Sequence, residues 1–241
     1  MPAVDATGLL LAFVVMTLGA SIQGVVGFGA NLLAAPLLAL IDPQLVPGPI
    51  IVAAVAMNLL FLARNRSGGD WRTMAPAIGA QAVGATAAGL ALASLPTDAL
   101  GVGFALLVLV AVALSAVGWR VPRSPGTLAV GGAASGFMGT TTGVGGPPIA
   151  LVLQDLDGIH LRGSLARFFL VGAAVSLSSL ALAGRLSAAQ VGAGLLLMPG
   201  VVAGYTASGW LAARVEPGHL RRAVLALSAA SALLALGRAL T

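Results

Sequence analysis

The chain has 241 residues, of which 59% are hydrophobic and 8% are charged, with a mean hydropathy of +1.03 and a net charge of +5. Soluble globular proteins carry about 25% charged residues, so this composition excludes a water-soluble globular fold. The twelve basic residues are all arginine and stand singly or in pairs at the ends of apolar segments. This placement is typical of membrane proteins, and no nucleic-acid partner is expected. The absence of cysteine excludes disulfides and thiolate metal sites.

Eight apolar segments follow one another along the chain, separated by turn or charge signals. They span residues 7–41, 46–63, 73–95, 98–118, 127–154, 164–183, 187–213 and 217–237. The apolar runs are continuous and do not alternate with a period of two, which predicts helices and not a β-barrel. No basic residue precedes the first segment, so we expect this segment to be retained and not removed as a signal peptide.

The two halves of the chain are similar in sequence. The glycine motif at residues 84–89 recurs at 204–209, an offset of 120. Three earlier positions recur at an offset of 112, where Gly24, Gly27 and Pro36 match Gly136, Gly139 and Pro148. The order of these matches predicts two homologous repeats, residues 1–121 and 122–241, with four segments each. For the 84–89 and 204–209 motifs themselves, tight helix packing through small residues is the favoured interpretation.

Glycine and proline interrupt the first segment of each half. Residues 7–41 would form a helix about 52 Å long at 1.5 Å per residue, whereas the hydrocarbon core of a bilayer is about 30 Å thick. Glycines and Pro36 break this segment, and residues 139–148 break its counterpart, 127–154. Membranes tolerate such breaks only where protein or a water-filled cavity surrounds the freed backbone groups. Each segment is therefore expected to turn back as a re-entrant hairpin, which leaves three transmembrane helices in each half.

The distribution of arginine supports this folding back. If every segment crossed once, the two sides of the membrane would hold seven and five arginines, which is no bias. If segment 127–154 returns to its own side, the distribution becomes ten against two, with only Arg185 and Arg238 on the minority side. The positive-inside rule favours the second arrangement. The prediction is an all-α, multi-pass protein of the cytoplasmic membrane, built from inverted repeats, with its C-terminus outside.

Few side chains could carry catalysis. The two histidines, His160 and His219, fall in predicted charged loops, and no acidic residue lies deep in a predicted span. A membrane enzyme needs an acid, a base, a nucleophile or a metal set inside the bilayer. We therefore expect neither enzymatic activity nor a metal or other cofactor.

The two broken segments are the best candidates for a binding site. A helix that begins after a break directs free N–H groups and the positive end of its dipole into the space before it, which suits an anion. Glycine lets the backbone approach a ligand closely, and threonine hydroxyls can donate to oxyanion oxygens. The candidate substrate-binding residues are Gln23, Gly27, Gly29, Asn31, Thr140, Thr141, Thr142, Gly143, Gly145 and Gly146.

Polar residues elsewhere in the predicted spans are candidates for lining a pore. They are Asn58, Gln81, Thr86, Arg167 and Thr206. For any one of the uncharged residues, a hydrogen bond between helices is an open alternative. Arg167 either extends to the membrane interface or lines a cytoplasmic mouth that attracts anions.

The broken segments also carry a family resemblance. The glycine-rich break followed by proline at residues 139–148 and 24–36, together with the stretch 64–72, resembles the TauE/SafE family of sulfite and organosulfonate exporters. The resemblance extends over nearly the whole chain, although residues 27–31 stand in for a denser glycine run. It implies a secondary transporter that exports a small sulfur-containing anion, such as sulfite or sulfoacetate, across the cytoplasmic membrane.

Two alternatives stay open at the level of sequence. One is a transporter of another small solute, or an importer, and the other is a membrane assembly or sensing factor that transports nothing. The expected partners are a small anionic substrate and the lipid bilayer, and homo-oligomerisation is left open. Export of an anion is energetically simple, because a charge leaving a negative interior gains about 2.3 kcal/mol per 100 mV.

Overall fold

The structure is a computed structural model that describes residues 6–26, 29–64, 71–119, 121–156 and 158–240. Within these ranges the chain forms ten α-helices and no strand. The first half contains α1 Ala6–Val26, α2 Ala30–Ile41, α3 Gly48–Arg64, α4 Trp71–Ser94 and α5 Thr97–Val117, with a 3₁₀ turn Pro43–Leu45 before α3. The second half contains α6 Pro125–Thr142, α7 Gly146–Val152, α8 Gly158–Leu182, α9 Ala188–Ala212 and α10 Pro217–Leu240.

Six helices are long and apolar enough to cross a membrane, namely α1, α4, α5, α8, α9 and α10. The prediction of an all-helical membrane chain is therefore confirmed. The set of crossing helices differs from the prediction at α1, which was expected to be part of a re-entrant hairpin, and at α3. Because the first segment breaks after Val26, α1 keeps 21 residues, or about 32 Å, which suffices for a crossing. Helix α3 was expected to cross, yet its 17 residues extend only about 26 Å.

Helix α8 begins earlier than the sequence predicted. The apolar segment was placed at 164–183, whereas the helix starts at Gly158 and already includes His160 and Arg162. The prediction of a loop at these two residues was wrong. Hydropathy detects where an apolar run begins, and a helix whose first turns are polar starts before that point. Residue 157 lies outside the described ranges.

Each broken segment forms a helical hairpin. In the second half, α7 runs back along α6, because Gly145 lies against Gly139 and the Ile149 N–H donates to the Ser135 hydroxyl at 3.2 Å. Successive residues of α7 thus meet progressively earlier residues of α6, which defines an antiparallel pair.

The first-half hairpin is held by a similar contact. The N–H of Ala30, the first residue of α2, donates to Gln23 Oε1 at 2.9 Å. Gln23 and Ser135 are separated by the 112-residue offset of the sequence similarity. In both hairpins, therefore, the side chain at this position accepts a hydrogen bond from the backbone of the returning helix.

The helices pack chiefly across the boundary between the two halves. Helix α4 packs along α6 and α1 packs along α9, while α4 also contacts α8 and α3 also contacts α9. Two further contacts, α3 with α8 and α5 with α10, join helices at matching places in the two halves. The predicted repeats, 1–121 and 122–241, consequently interlock, and both contribute to each of two apolar core clusters.

Contacts among loops and helix ends define two opposite ends of the bundle. At one end, which we call the Arg123 end, Arg123 pairs with Asp155 at 3.4 Å and Gln154 donates to the Trp119 carbonyl at 2.7 Å. At the other, which we call the Arg238 end, Arg238 donates to the Leu40 carbonyl at 3.1 Å. Contacts from Arg185 to the Leu95 carbonyl and from Gln190 to the Gln44 carbonyl also lie at the Arg238 end.

Candidate functional site

A cavity of about 110 Å³ lies where the two hairpins meet. One water molecule needs about 10–15 Å³, so the cavity has room for a small polyatomic ion. Within the described ranges, every helix except α5 and α10 contributes to its lining. The site is therefore built by both halves together.

The cavity follows one face of α8 from the Arg123 end into the bundle. Arg162, Phe169, Gly172 and Ser176 line it at helical spacing and cover about 21 Å along the axis. Arg162 is partly exposed, whereas Ser176 is buried. The cavity thus has a charged mouth and a deeper uncharged part.

Apolar side chains close the bundle beyond the cavity, toward the Arg238 end. Gly143 lines the cavity and packs against Ile50, since a Cβ at this glycine would lie 2.5 Å from Ile50 Cγ2. Ile50, Leu45 and Leu197 are completely buried. These contacts leave the Arg123 end as the accessible side of the cavity.

The two breaks touch each other at the cavity. The Asn31 side-chain amide, one residue into α2, donates to the Gly143 carbonyl at 2.9 Å. These two residues are also separated by 112 positions. Gly143 and Gly29 both have positive φ angles, +78° and +101°, a conformation that side chains with a Cβ rarely adopt. Glycine is thus required at the two points where the chain changes direction.

The structure brings eight of the fifteen predicted site residues to the cavity. Six come from the substrate-binding set, namely Gln23, Gly29, Asn31, Gly143, Gly145 and Gly146, and two from the pore-lining set, Asn58 and Gln81. Gly27 lies outside the described residues. The remaining six point elsewhere.

The three consecutive threonines stabilise the break and do not line the cavity. Thr141 and Thr142 donate to carbonyl oxygens of the preceding helical turn at 2.8 and 2.7 Å, and Thr142 also accepts from the Val144 N–H. Thr140 shares a hydrogen bond of 2.7 Å with Ser176. A threonine hydroxyl near a helix end readily bonds to its own backbone, and this local bond leaves less of it for a ligand.

Three predicted pore-lining residues also face away from the cavity. Thr86 and Thr206 are exposed, and each donates to a carbonyl of its own helix. Arg167 lies over the Trp71 ring at 5.9 Å. Polarity alone therefore did not show which way these side chains point, because the lipid-facing and core-facing sides of a membrane helix are both largely apolar.

Some of the N–H groups expected to be free are absent or already used. Pro147 and Pro148 follow the first residue of α7 and have no N–H, and the next N–H, that of Ile149, is bonded to Ser135. The first N–H of α2 is bonded to Gln23. The hairpins use these two donors to hold themselves together, so polar side chains also have to supply contacts in the cavity.

The charged lining residue Arg162 was not predicted from the sequence. Its guanidinium has no hydrogen bond or ion pair with any residue that the structure describes, and no acidic residue is among the described residues of the lining. The sequence did contain a sign of this position, because residues 162, 165, 169, 172 and 176 recur at the spacing of one helix face. An arginine above an acid-free cavity creates a positive potential that favours anions.

Comparison with known proteins adds one match. The family model described as Sulfite exporter TauE/SafE matches residues 11–235 of the 241. The matched region contains both hairpins and every cavity residue named above. No curated protein and no solved structure matches the chain.

Proposed function

The chain belongs to the TauE/SafE family, and on this premise we propose that it exports a small sulfur-containing anion, such as sulfite or a sulfonate, as a secondary transporter of the cytoplasmic membrane. The observation that carries the proposal for this chain is Arg162, whose guanidinium has no partner among the described residues and lies at the mouth of a cavity with no acidic residue in its described lining. Its positive charge concentrates anions at the mouth.

The deeper part of the cavity suits transient binding. Beyond Arg162 the polar side chains of the described lining are all uncharged and include those of Gln81, Asn58, Asn31 and Ser176. Uncharged donors hold an anion less firmly than a second arginine would. A transported ion must leave as readily as it enters, so a single charge at the mouth favours turnover over retention.

The direction of transport follows from the predicted orientation. The arginine count places the Arg123 end in the cytoplasm, so the cavity would load from inside. An anion that leaves a negative interior gains about 2.3 kcal/mol per charge per 100 mV, which drives export without a second ion.

The proposed transport cycle depends on the structural similarity of the two halves of the chain. The paired packing of α4 with α6 and of α1 with α9, and the matching contacts of Gln23 and Ser135, support two inverted repeats. In such transporters, exchanging the conformations of the repeats opens the site to the opposite side. Release would then require the apolar contact between Gly143 and Ile50 to separate.

Sulfite flux from proteoliposomes tests the function. We expect efflux that rises when the interior is made negative, and a roughly tenfold loss of flux at low ionic strength in Arg162→Gln, shrinking as salt screens the charge. Arg214→Gln is the matched control, because Arg214 is exposed and stacks on the Trp210 ring at 4.0 Å. Flux that ignores voltage, or equal losses in both variants, would contradict the proposal.

A further inference from the structure

Gln81 is the most buried amide side chain in the described lining of the cavity, and it is incompletely satisfied. Gln81 lines the cavity, and only 4% of its surface is exposed. Its side-chain oxygen, Oε1, is buried and has no hydrogen-bond partner in the described part of the chain. Buried polar atoms in native proteins are nearly always paired, so an unpaired acceptor beside a cavity indicates that the occupant supplies the donor.

Two neighbouring helices leave space for Gln81 by carrying glycine. A Cβ at Gly172 of α8 would overlap the Gln81 side-chain amide. A Cβ at Gly136 of α6 would overlap the Gln81 backbone carbonyl oxygen. The side chain and the backbone of Gln81 are therefore each fixed against a surface that has no side chain, which orients the amide and limits its movement.

The corresponding place in the other half has no amide. At the offset of 120 that relates the 84–89 and 204–209 motifs, the counterpart of Gln81 is Val201. Val201 also lines the cavity and is buried. One wall of the cavity thus carries a hydrogen-bond acceptor where the opposite wall is aliphatic, so a bound solute would have a fixed orientation.

Gln81 lies well inside the charged mouth. Its contact residue Gly172 is ten residues, or about 15 Å along α8, from Arg162. Arg162 therefore serves entry, and Gln81 belongs to a separate, deeper subsite. An amide oxygen accepts hydrogen bonds and donates none, so it repels an anionic oxygen and attracts an O–H or N–H group.

We infer that Gln81 selects anions that carry a hydrogen-bond donor apart from their negative charge, such as small sulfonates with a hydroxyl or amino group. The inference rests on the proposed transport of sulfur-containing anions. A solute without the donor would displace cavity water and leave the buried oxygen unpaired, and sites built to pair a hydroxyl discriminate strongly against analogues that lack it.

A pair of sulfonates with equal numbers of heavy atoms tests this selection. The probes are 2-hydroxyethanesulfonate and 1-propanesulfonate, which differ by a hydroxyl in place of a methyl group. In proteoliposomes containing the full chain, we expect kcat/KM to be roughly tenfold higher for the hydroxylated probe. A ratio near one in the unsubstituted protein overturns the inference and needs no variant, while transport of neither sulfonate and no sulfite flux would instead overturn the proposed function.

Two substitutions assign the selectivity to Gln81. Gln81→Met keeps the length of the side chain and removes the amide. We therefore expect the ratio of the two kcat/KM values to approach one, because only transport of the hydroxylated probe is reduced. Continued transport of 1-propanesulfonate shows that the variant is folded. Gln81→Asn keeps a shorter amide and should give an intermediate ratio, which serves as the readout if the methionine variant does not fold. A ratio unchanged from that of the parent in the folded variants overturns the assignment.

Discussion

The two longest helix crossings of the bundle are built differently. Where α4 crosses α6, the contact is between backbones. Gly84, Gly132 and Gly136 each face a backbone carbonyl oxygen of the partner helix, and a Cβ at any of them would overlap that oxygen. Small residues let membrane helices approach to this distance and gain dispersion contacts that lipid cannot replace.

Where α1 crosses α9, side chains take up part of the contact. Gly204 does face the Thr17 carbonyl, but Gly24 faces the side chain of Ser208. Gly200 faces the Thr17 hydroxyl at 2.9 Å, measured from a Cβ placed on the glycine. Side-chain atoms that collide with an added methyl group can be removed by a second substitution, whereas a backbone carbonyl cannot.

The difference bears on how Gln81 is held. The α4–α6 crossing carries Gln81 and Ser135, whereas the α1–α9 crossing presents the apolar Met16, Ala20 and Val201 together with Gln23 to the same space. Gln81 thus stands on the closer crossing, where position is fixed best. We expect the α1–α9 crossing to be the one that adjusts during transport.

The largest effect is expected from adding a methyl group to the closer crossing. Gly136→Ala forces α6 away from the Gln81 carbonyl, and overpacking of this kind costs about 1–3 kcal/mol. The apparent melting temperature in detergent should fall by several degrees, and sulfite flux should be lost because the amide wall moves. Heating followed by size-exclusion chromatography measures the first effect. An unshifted melting temperature would show that α4 and α6 are not in backbone contact.

The helices were predictable because their cause is local. The segments predicted at 73–95, 98–118 and 187–213 agree within two residues with α4, α5 and α9. Apolar runs of this length can satisfy their backbone groups in lipid only as helices. The breaks were also predictable, because glycine and proline interrupt both segments at the places where the structure changes direction.

The direction in which individual side chains point was not predictable from the sequence. Thr141 and Thr142 looked like ligands because they are polar beside a break, but the structure uses their hydroxyls within the helix. Gln81 and Thr86 were equivalent candidates, and only the contact partners of α4 decide that the first faces the cavity and the second faces outward. The direction in which a side chain points depends on tertiary packing, which cannot be read from the local sequence of a single chain.

A smaller effect, and one that can be reversed, is expected at the α1–α9 crossing. In Gly24→Ala the new methyl group overlaps Cβ and Oγ of Ser208. A rotamer change relieves only the contact with Oγ, and the contact with Cβ requires a small shift of the helices. The double variant Gly24→Ala, Ser208→Gly should restore most of the lost melting temperature, because it removes the atoms that collide. No such relief exists for Gly136→Ala, whose contact is backbone. Failure of the double variant to recover would mean that both crossings are equally rigid.

The smallest effect is expected at Gly209, which has no atom of the described chain within 4 Å of a Cβ and is exposed. Alanine is a better helix former by up to about 1 kcal/mol, so Gly209→Ala should leave the melting temperature unchanged or slightly raised, with normal sulfite flux. Its counterpart Gly89 lies 3.1 Å from Ser179 Cβ, again measured from a placed Cβ, so Gly89→Ala should lower the melting temperature. The comparison of these two equivalent glycines therefore distinguishes a position packed inside the bundle from a position on its exposed outer face. If both variants lose stability equally in a bilayer, another molecule must cover α9 at Gly209, and a second copy of the chain would be sought there by cross-linking.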